Sequence, residues 1–284
     1  MGQLQEVFLG KRVGGEGGRR LTGVNSRLIG SEIGNLITEL MAFQLQDHAD
    51  LDVREVAEGF EGKGLEEVLG WTWERFGKRA QIGTSYQGSG LVIIDHARRM
   101  GLDFPVFTVD TGLLFPETYE LRDRLEDFFG IEIQQLRPEQ TVAEQRVEYG
   151  GDLWETNPDT CCTLRKVLPL QRHLAGIDVW ITGLRRNQSE TRERTGILEL
   201  YLFDKLREQH ILKLNPMAAW SREAVWEYIR ERGIPYNALH DRGYRSIGCW
   251  PCTKLSGGEG ERAGRWEGFE KTECGIHTFL GSNI

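Results

Sequence analysis

The chain has 284 residues, of which 39% are hydrophobic and 27% charged, so it is long enough to bury a substantial core and its composition is that of a globular protein. Its formal net charge of −8 argues against general nucleic-acid binding, which needs a net basic surface. No apolar run approaches the roughly 18–20 residues that cross a bilayer. The N-terminus also lacks the apolar stretch of a secretory signal, so we expect a cytoplasmic protein with no membrane and no nucleic-acid partner.

Composition divides the chain into three segments. Residues 1–50 contain glycines set among charges and are predicted to be an N-terminal extension, mobile at its start, with one helix over residues 29–47. Residues 51–255 show regular apolar periodicity and are predicted to form the main domain. Residues 256–284 begin with a glycine-rich stretch and are predicted to be a mobile tail.

Helices and strands alternate through the main domain. Apolar residues at helical spacing predict the helices Leu65–Phe76, Leu91–Met100, Pro116–Phe129, Val142–Tyr149 and Ser221–Arg232, with an amphipathic segment over Cys162–Leu174. Short apolar and β-branched runs predict the strands Gln81–Ser85, Phe104–Val109, Ile131–Leu136 and Val179–Gly183. This alternation is typical of an α/β fold in which helices flank a mostly parallel, doubly wound sheet.

Three loops follow predicted strands and are small, polar or basic. They are Thr84–Gly90, Val109–Gly112 and Thr182–Arg186. In open α/β sheets, ligands bind beyond the carboxyl ends of the strands. We therefore expect these three loops to form the ligand site.

Four of the five cysteines form two pairs. Cys161 and Cys162 are adjacent, and Cys249 and Cys252 form a CxxC pair whose sulfurs have the reach to bind one metal or cluster. Adjacent cysteines can converge at a helix start, which Asn157–Thr160 would provide. We predict a four-thiolate site, with iron–sulfur and zinc both open. A redox dithiol and buried, inert cysteines are the alternatives.

The fifth cysteine, Cys274, lies in the predicted tail. It follows the glycine-rich stretch Ser256–Gly260, which can act as a hinge. A thiol on such a tail can reach a bound substrate and then be presented to a reductant. His277 is three residues on and could pair with the thiolate or with an anion. The alternative is an inert cysteine near the end of the chain.

Basic residues are concentrated near the cysteines, although the chain is acidic overall. They are Lys166, Arg185, Arg186, Arg192, Arg242, Arg245, Arg262 and Arg265. Guanidinium groups bind phosphate or sulfate oxygens through two parallel hydrogen bonds. This density therefore predicts an anion site, and a solvated surface is the alternative for any single arginine.

Seven segments together resemble the assimilatory adenylyl-sulfate reductases of the phosphoadenylyl-sulfate reductase family. They are TSYQGSG, VDTGLLFPETY, NPDTCCTLRKVLPL, WITGLRRNQSETR, KLNPMAAWSREAVWEYIRERGIPYNALHDRGYRSIGCWPCT, ERAGRW and ECGIH. The resemblance implies a Rossmann-like adenine-nucleotide α-hydrolase-like (PP-loop) fold, with a mostly parallel twisted sheet flanked by helices. Residues 51–255 would then be a nucleotide-binding and iron–sulfur reductase domain. The four paired cysteines look like those of the subgroup that carries a [4Fe–4S] cluster and uses adenylyl sulfate (APS).

The resemblance also implies a role for each matched residue. The ligands of the [4Fe–4S] cluster would be Cys161, Cys162, Cys249 and Cys252. The substrate site would be lined by Ser85, Gln87, Val109, Thr111, Gly183, Arg192, Arg262 and Arg265. In the reaction, Cys274 would be the nucleophile, Lys166 would lie between cluster and substrate, and His277 would lie near the thiol.

The implied activity is reduction of APS to sulfite and AMP in assimilatory sulfate reduction, through an S-sulfocysteine on Cys274. The sequence ends soon after ECGIH, so we expect thioredoxin or glutaredoxin to act as a separate reductant, and we expect a homo-oligomer. Two positions depart from the family: Gly88–Gly90 stands where an acidic residue is frequent, and Leu113 where a polar or basic one is.

Three other functions compete with this interpretation. One is reduction of the 3′-phosphorylated substrate, phosphoadenylyl sulfate (PAPS). Another is a PP-loop sulfur-transfer ligase or ATP pyrophosphatase, although TSYQGSG lacks the Asp of the SGGxDS loop that those enzymes prefer. The third is a non-enzymatic, zinc-stabilised or redox-sensing module that binds a nucleotide.

Overall fold

The computed structural model describes residues 51–258, 260–271, 273 and 275–277. Six strands in this part of the chain form one sheet: β1 (Ala80–Gly83), β2 (Val106–Val109), β3 (Ile133–Leu136), β4 (Val179–Ile181), β5 (Leu198–Asp204) and β6 (Gln209–Leu214). Their order across the sheet is β3-β2-β1-β4-β6-β5. All neighbouring strands are parallel except β5, which pairs antiparallel with β6 at one edge.

Helices connect and flank these strands. They are α1 (Val53–Phe60), α2 (Leu65–Phe76), α3 (Gly88–Arg99), α4 (Pro116–Phe129), α5 (Val142–Tyr149), α6 (Leu153–Thr156), α7 (Pro158–Cys162), α8 (Leu168–Leu174) and α9 (Arg222–Arg232). Within the described residues, no helix is both long enough and apolar enough to cross a membrane.

Helices cover the sheet on both faces. Neighbouring residues of one strand point to opposite sides, so each strand contributes side chains to both layers. On one face, Val179 and Ile181 pack in the same core as Leu91 of α3 and Ile229 of α9. On the other face, Trp180 packs with residues of α8. This two-sided burial explains why the inner strand β4 is wholly apolar. The sheet order and strand directions confirm the predicted α/β fold with a mostly parallel sheet.

Most predicted elements are present, with shifted ends. Helices α2, α4 and α5 have the predicted bounds, and Ser221 caps α9 by accepting a hydrogen bond from the Ala224 amide at 3.1 Å. Strands β1 and β4 end two residues earlier than predicted, so more of each following loop is free to contact a ligand. Helix α3 begins three residues earlier, at Gly88, because its first turn consists of small residues that carry no apolar periodicity.

The sequence analysis placed no element between Gly183 and Ser221, and it also missed α1. The structure has the hairpin β5–β6 there, and β6 is a central strand between β4 and β5. Its last four residues, Ile211–Leu214, are all buried, but Lys213 interrupts the apolar run. Because Lys213 breaks the apolar pattern, the sequence analysis did not predict this inner strand.

The predicted amphipathic segment is helical but not uniform. Asn157 caps α7 by accepting from the Thr160 amide at 3.0 Å, and Pro158 occupies the first turn, which confirms the predicted helix start. A π-helical stretch, Thr163–Val167, separates α7 from α8. Such stretches occur often at functional sites, and this one contains the two buried basic residues Arg165 and Lys166.

Candidate active site

A pocket lies where the three predicted loops meet, at the carboxyl ends of β1, β2 and β4. Its lining includes every predicted substrate-site residue: Ser85, Gln87, Val109, Thr111, Gly183, Arg192, Arg262 and Arg265. Lys166, His277 and Cys249 also line it. Cys274, the predicted nucleophile, and residues 1–50 lie outside the described residues.

The first loop turns sharply so that α3 points its N-terminus at the pocket. Tyr86 has a left-handed φ of 58°, unusual for a residue with a side chain, and its amide donates to Thr84 Oγ1 at 3.0 Å. Gly88 and Ser89, in the first turn of α3, line the pocket. The positive end of the helix dipole and its free amides therefore favour an anionic group here.

The loop after β4 approaches this helix so closely that only glycine fits. A Cβ on Gly183 would lie 2.9 Å from the Gly90 nitrogen and 3.0 Å from Ser89 Cβ. The buried Arg185 then reaches across, and its Nε donates to Ser89 Oγ at 2.9 Å. Gly183 thus lets the first and third loops share one wall of the pocket.

The loop after β2 connects the pocket to the cysteines. Asp110 shapes it by accepting from the Gly112 amide at 3.0 Å and from the Tyr119 hydroxyl at 2.8 Å. Thr111 Oγ1 lies 3.3 Å from Cys249 Sγ. Arg165 Nε donates to the Thr111 carbonyl at 2.6 Å. A ligand that contacts Thr111 is therefore separated from the Cys249 thiol by only that side chain.

The cysteine cluster consists of Cys161, Cys249 and the half-buried Cys252, which pack with Leu113, Leu153 and Trp154. Cys162, which follows Cys161 in the sequence, is also buried. Burial, followed by the neighbouring Cys249, raises the pKa of the Cys161 thiol to about 11. Gln145 Nε2 lies 4.0 Å from Cys161 Sγ and is itself fixed by Arg165.

The donor set of this cluster suits an iron–sulfur group. Among the described residues no three Cys, His, Asp or Glu side chains converge as ligands of a single metal ion. A [4Fe–4S] cluster binds each of four thiolates through a different iron. Three thiols that pack together, with a fourth adjacent in sequence, are donors of the type that such a group uses.

Cationic side chains line much of the pocket. Lys166 is 7% exposed, and its charge acts on the thiols of Cys161 and Cys252. Lys166 therefore has both the pocket and the cysteine cluster as neighbours. Arg192 is also buried, and Arg262 is mostly so. The predicted concentration of positive charge around the pocket is present.

The chain after the CxxC pair returns to the pocket and is fixed there. The Trp266 amide donates to the Cys252 carbonyl at 3.1 Å, and the indole is buried under the guanidinium of Arg265, 4.4 Å from its ring centroid. A Cβ on Gly248 would lie 2.3 Å from Arg265 Nη2. Glycine at 248 therefore makes the space that Arg265 occupies.

Glu273 holds the chain immediately before Cys274. Its carboxylate accepts from Arg192 Nε at 3.1 Å and Nη2 at 2.9 Å, and it lies 3.2 Å from Arg262 Nη2. Burial opposes its charge, but these two arginines lower the pKa of Glu273 below its ordinary value. The predicted anion-binding arginines thus hold a carboxylate of the protein itself.

His277 lies against Trp180 with the two rings nearly parallel, 13° apart, and their centroids separated by 5.1 Å. Burial lowers the pKa of His277 well below its ordinary value, and the nearby charges of Lys213 and Arg192 lower it further. The imidazole is therefore neutral near pH 7. Its Nδ1 is buried without a hydrogen-bond partner among the described residues.

Several residues of the site were not predicted. Arg165, Lys213, Glu261 and Glu273 were not singled out, and Arg185 was noted only as one of several arginines. Arg165 was detectable, because it lies between Cys162 and Lys166 in the same helical segment. Glu261 pairs with Arg185 at 2.5 Å, and no sequence pattern indicates such a long-range carboxylate–arginine pair.

Together these features define an α/β protein with a cationic pocket at the carboxyl edge of its sheet and a thiol cluster beside it. Residues 81–255 match the phosphoadenosine phosphosulfate reductase domain family. The chain belongs to this family, which confirms the resemblance drawn from its motifs.

Two curated relatives match most of the chain. Adenosine 5′-phosphosulfate reductase 2 of Bacillus subtilis is 43% identical over 213 residues, covering 74% of this chain and 88% of the relative. The adenosine 5′-phosphosulfate reductase of Halalkalibacterium halodurans is 40% identical over 229 residues, covering 80% and 97%.

A solved structure shares the fold. The phosphoadenylyl-sulfate reductase of Candida auris, determined as a phosphate complex, superposes with a TM-score of 0.62 at 29% identity. The match covers 71% of this chain and 96% of that one. It supports the predicted PP-loop type of α/β fold.

Proposed function

We propose that the protein reduces APS to sulfite and AMP. The observation that supports this best is the pocket itself, where the loops at the carboxyl ends of three strands and several arginines surround one space that Cys249 of the cysteine cluster also lines. Relatives about 40% identical over most of their length are named adenosine 5′-phosphosulfate reductase. The reaction needs free thiols, which the cytosol keeps reduced, so we place the protein there.

In the first step, the thiolate of Cys274 attacks the sulfur of the sulfuryl group. An S–S bond forms, the bond from sulfur to the phosphate oxygen breaks, and AMP leaves with that electron pair. The product on the protein is an S-sulfocysteine. A thiolate and a sulfate group repel each other, so the step requires fixed positive charge, which Lys166 and the arginines would supply.

In the second step, a dithiol of thioredoxin or glutaredoxin attacks the Cys274 sulfur. Sulfite leaves with the electron pair of the S–S bond, and the second thiol of the reductant resolves the mixed disulfide. The sulfur is reduced by two electrons, the dithiol is oxidised to a disulfide, and Cys274 is regenerated.

Two residues would prepare the site for these steps. Lys166, which lines the pocket and lies near the thiols, would stabilise negative charge on the sulfuryl oxygens. His277 is neutral at pH 7, so it can accept or donate a hydrogen bond without adding charge. Its unpartnered Nδ1 is free to bond the sulfate or the thiol of a bound complex.

A [4Fe–4S] cluster would be held by Cys161, Cys162, Cys249 and Cys252. When bound, it would order the loops that carry these residues and set the charge near the sulfate; no electron transfer through it is needed. Cys249 lines the pocket and lies 3.3 Å from Thr111, so the loop that carries Thr111 would be ordered with it.

The substrate is tested by comparing two nucleotides. With thioredoxin and its reductase, we expect sulfite and AMP in equal amounts from APS, at a kcat/KM at least ~10-fold above that for PAPS, because relatives about 40% identical are named adenosine 5′-phosphosulfate reductase. Sulfite assay and nucleotide chromatography measure both products. A preference for PAPS would support the alternative function, PAPS reduction. The fold that this chain shares with the phosphoadenylyl-sulfate reductase of Candida auris is the reason for considering it. Pyrophosphate formed from ATP would instead support a ligase.

The cofactor is tested on anaerobically purified protein. We expect iron and acid-labile sulfide in equal amounts, about four of each per chain, as a [4Fe–4S] cluster requires. Replacing Cys161 with serine should lower both, and replacing Cys274 with serine should leave both unchanged. Zinc without sulfide would contradict the iron–sulfur assignment and leave the nucleophile assignment untouched.

A further inference from the structure

We infer that Glu273 is a positioning residue that competes with the substrate's anionic group for Arg192 and Arg262. In the structure, its carboxylate occupies those two guanidinium groups and so fixes the chain just before Cys274. The inference rests on the proposed function, because it assigns the same arginines to the sulfate or phosphate of APS.

The contact is a built anion site rather than a surface ion pair. The side chains of Arg192 and Glu273 are 7% and 9% exposed, respectively. Arg192 presents its Nε and Nη2 edge to the carboxylate, the two-bond arrangement that guanidinium also uses for sulfate and phosphate. Arg262 Nη2 and Thr191 Oγ1 complete the set at 3.2 Å and 3.3 Å.

Both arginines line the pocket, so a ligand there can reach the groups that hold Glu273. One edge of a guanidinium binds one anion through two hydrogen bonds, so carboxylate and sulfate cannot occupy the Nε and Nη2 of Arg192 together. Binding of the substrate's anion would displace Glu273. Exchange of one anion for another keeps the charge around the arginines balanced.

Displacement would release the chain next to Cys274 at the moment when the substrate is present. After the products leave, Glu273 would return to the arginines and hold the tail in place again. The carboxylate thereby couples occupancy of the anion site to the release of the chain at residue 273.

The test follows alkylation of Cys274 by iodoacetamide in the cluster-loaded protein, with the modified peptide identified by mass spectrometry. We expect slow alkylation in the wild type and acceleration by sodium sulfate relative to sodium chloride of equal ionic strength. Glu273→Gln and Glu273→Ala should react about tenfold faster, since a charge-assisted contact is lost, and sulfate should no longer accelerate them.

Glu270→Gln is the matched control, since Glu270 is exposed and three residues away in the same segment. It should behave as the wild type. Equal alkylation rates in the Glu273 variants and the control would overturn the inference, as would a wild type that sulfate does not affect.

Steady-state kinetics provide a second readout. In Glu273→Gln, the KM for APS should fall because no carboxylate competes for the arginines, and kcat should change little because bound substrate has already displaced Glu273 in the wild type. A KM at or above the wild-type value contradicts the competition between Glu273 and the substrate. Alkylation requires no turnover, so absence of APS reduction would refute the proposed function while the alkylation result still decides the role of Glu273.

Discussion

Replacement of Cys274 by serine is expected to abolish sulfite formation from APS, lowering kcat by ~10³-fold or more. A serine hydroxyl is almost wholly protonated near neutral pH, whereas a thiol ionises far more readily. The side chain is nearly the same size, so the affinity for AMP should be unchanged. Sulfite production with excess thioredoxin measures the effect, and equilibrium dialysis of AMP provides the control.

The intermediate can be examined separately from turnover. Without a reductant, wild-type protein incubated with sulfur-35 APS should retain close to one label per chain, which thioredoxin then releases as sulfite. Cys274→Ser should retain none. Label on another cysteine, or sulfite formation by the serine variant at the wild-type rate, would remove Cys274 from its proposed role.

Replacement of Lys213 by methionine is expected to stabilise the protein by about 2 kcal/mol at pH 7. The amine is buried between two rings, 4.1 Å from the centroid of Tyr201 and 5.7 Å from that of Trp180. Burial lowers the pKa of Lys213 to about 8. A shift of this size corresponds to about 3 kcal/mol of cost for the charged form, and loss of the weak pair with Glu199, at 3.8 Å, offsets part of the gain.

The contribution of Lys213 to the free energy of unfolding changes with pH in a defined direction. Between the folded pKa of about 8 and the ordinary value of 10.5, the unfolded chain binds more protons at Lys213 than the folded chain does. Stability contributed by this group therefore rises with pH across that window. The charged groups near the amine are Glu199, Arg192 and Glu273. The advantage of Lys213→Met over the wild type should shrink from pH 7 to pH 10.

Melting temperatures of the cluster-loaded proteins measure this effect. A gain of about 2 kcal/mol corresponds to roughly 4–8 °C for a domain of this size. Lys205→Met is the matched control, because Lys205 is exposed in the turn of the same hairpin and should change little. A variant that melts at or below the wild-type temperature at pH 7 would show that the buried charge is not a net cost.

The sequence determined the architecture where the signal was local. Short runs of strand length between periodic helices predicted β1 to β4, and the alternation of strands with helices predicted their parallel arrangement. The loop residues followed from the strand ends, and Ser85, Thr111 and Gly183 line one pocket as expected. The cysteine pairs were evident from their spacing alone.

The tertiary structure decided what depends on partners distant in the sequence. The inner strand β6 was missed because Lys213 is buried only after Trp180 and Tyr201 enclose it. The pairing of Glu273 with Arg192 joins residues 81 positions apart, and many other acids in the chain could equally have been its partner. Local patterns report which face of a helix or strand is buried, whereas the partner of a buried charge is fixed only when the chain has folded around it.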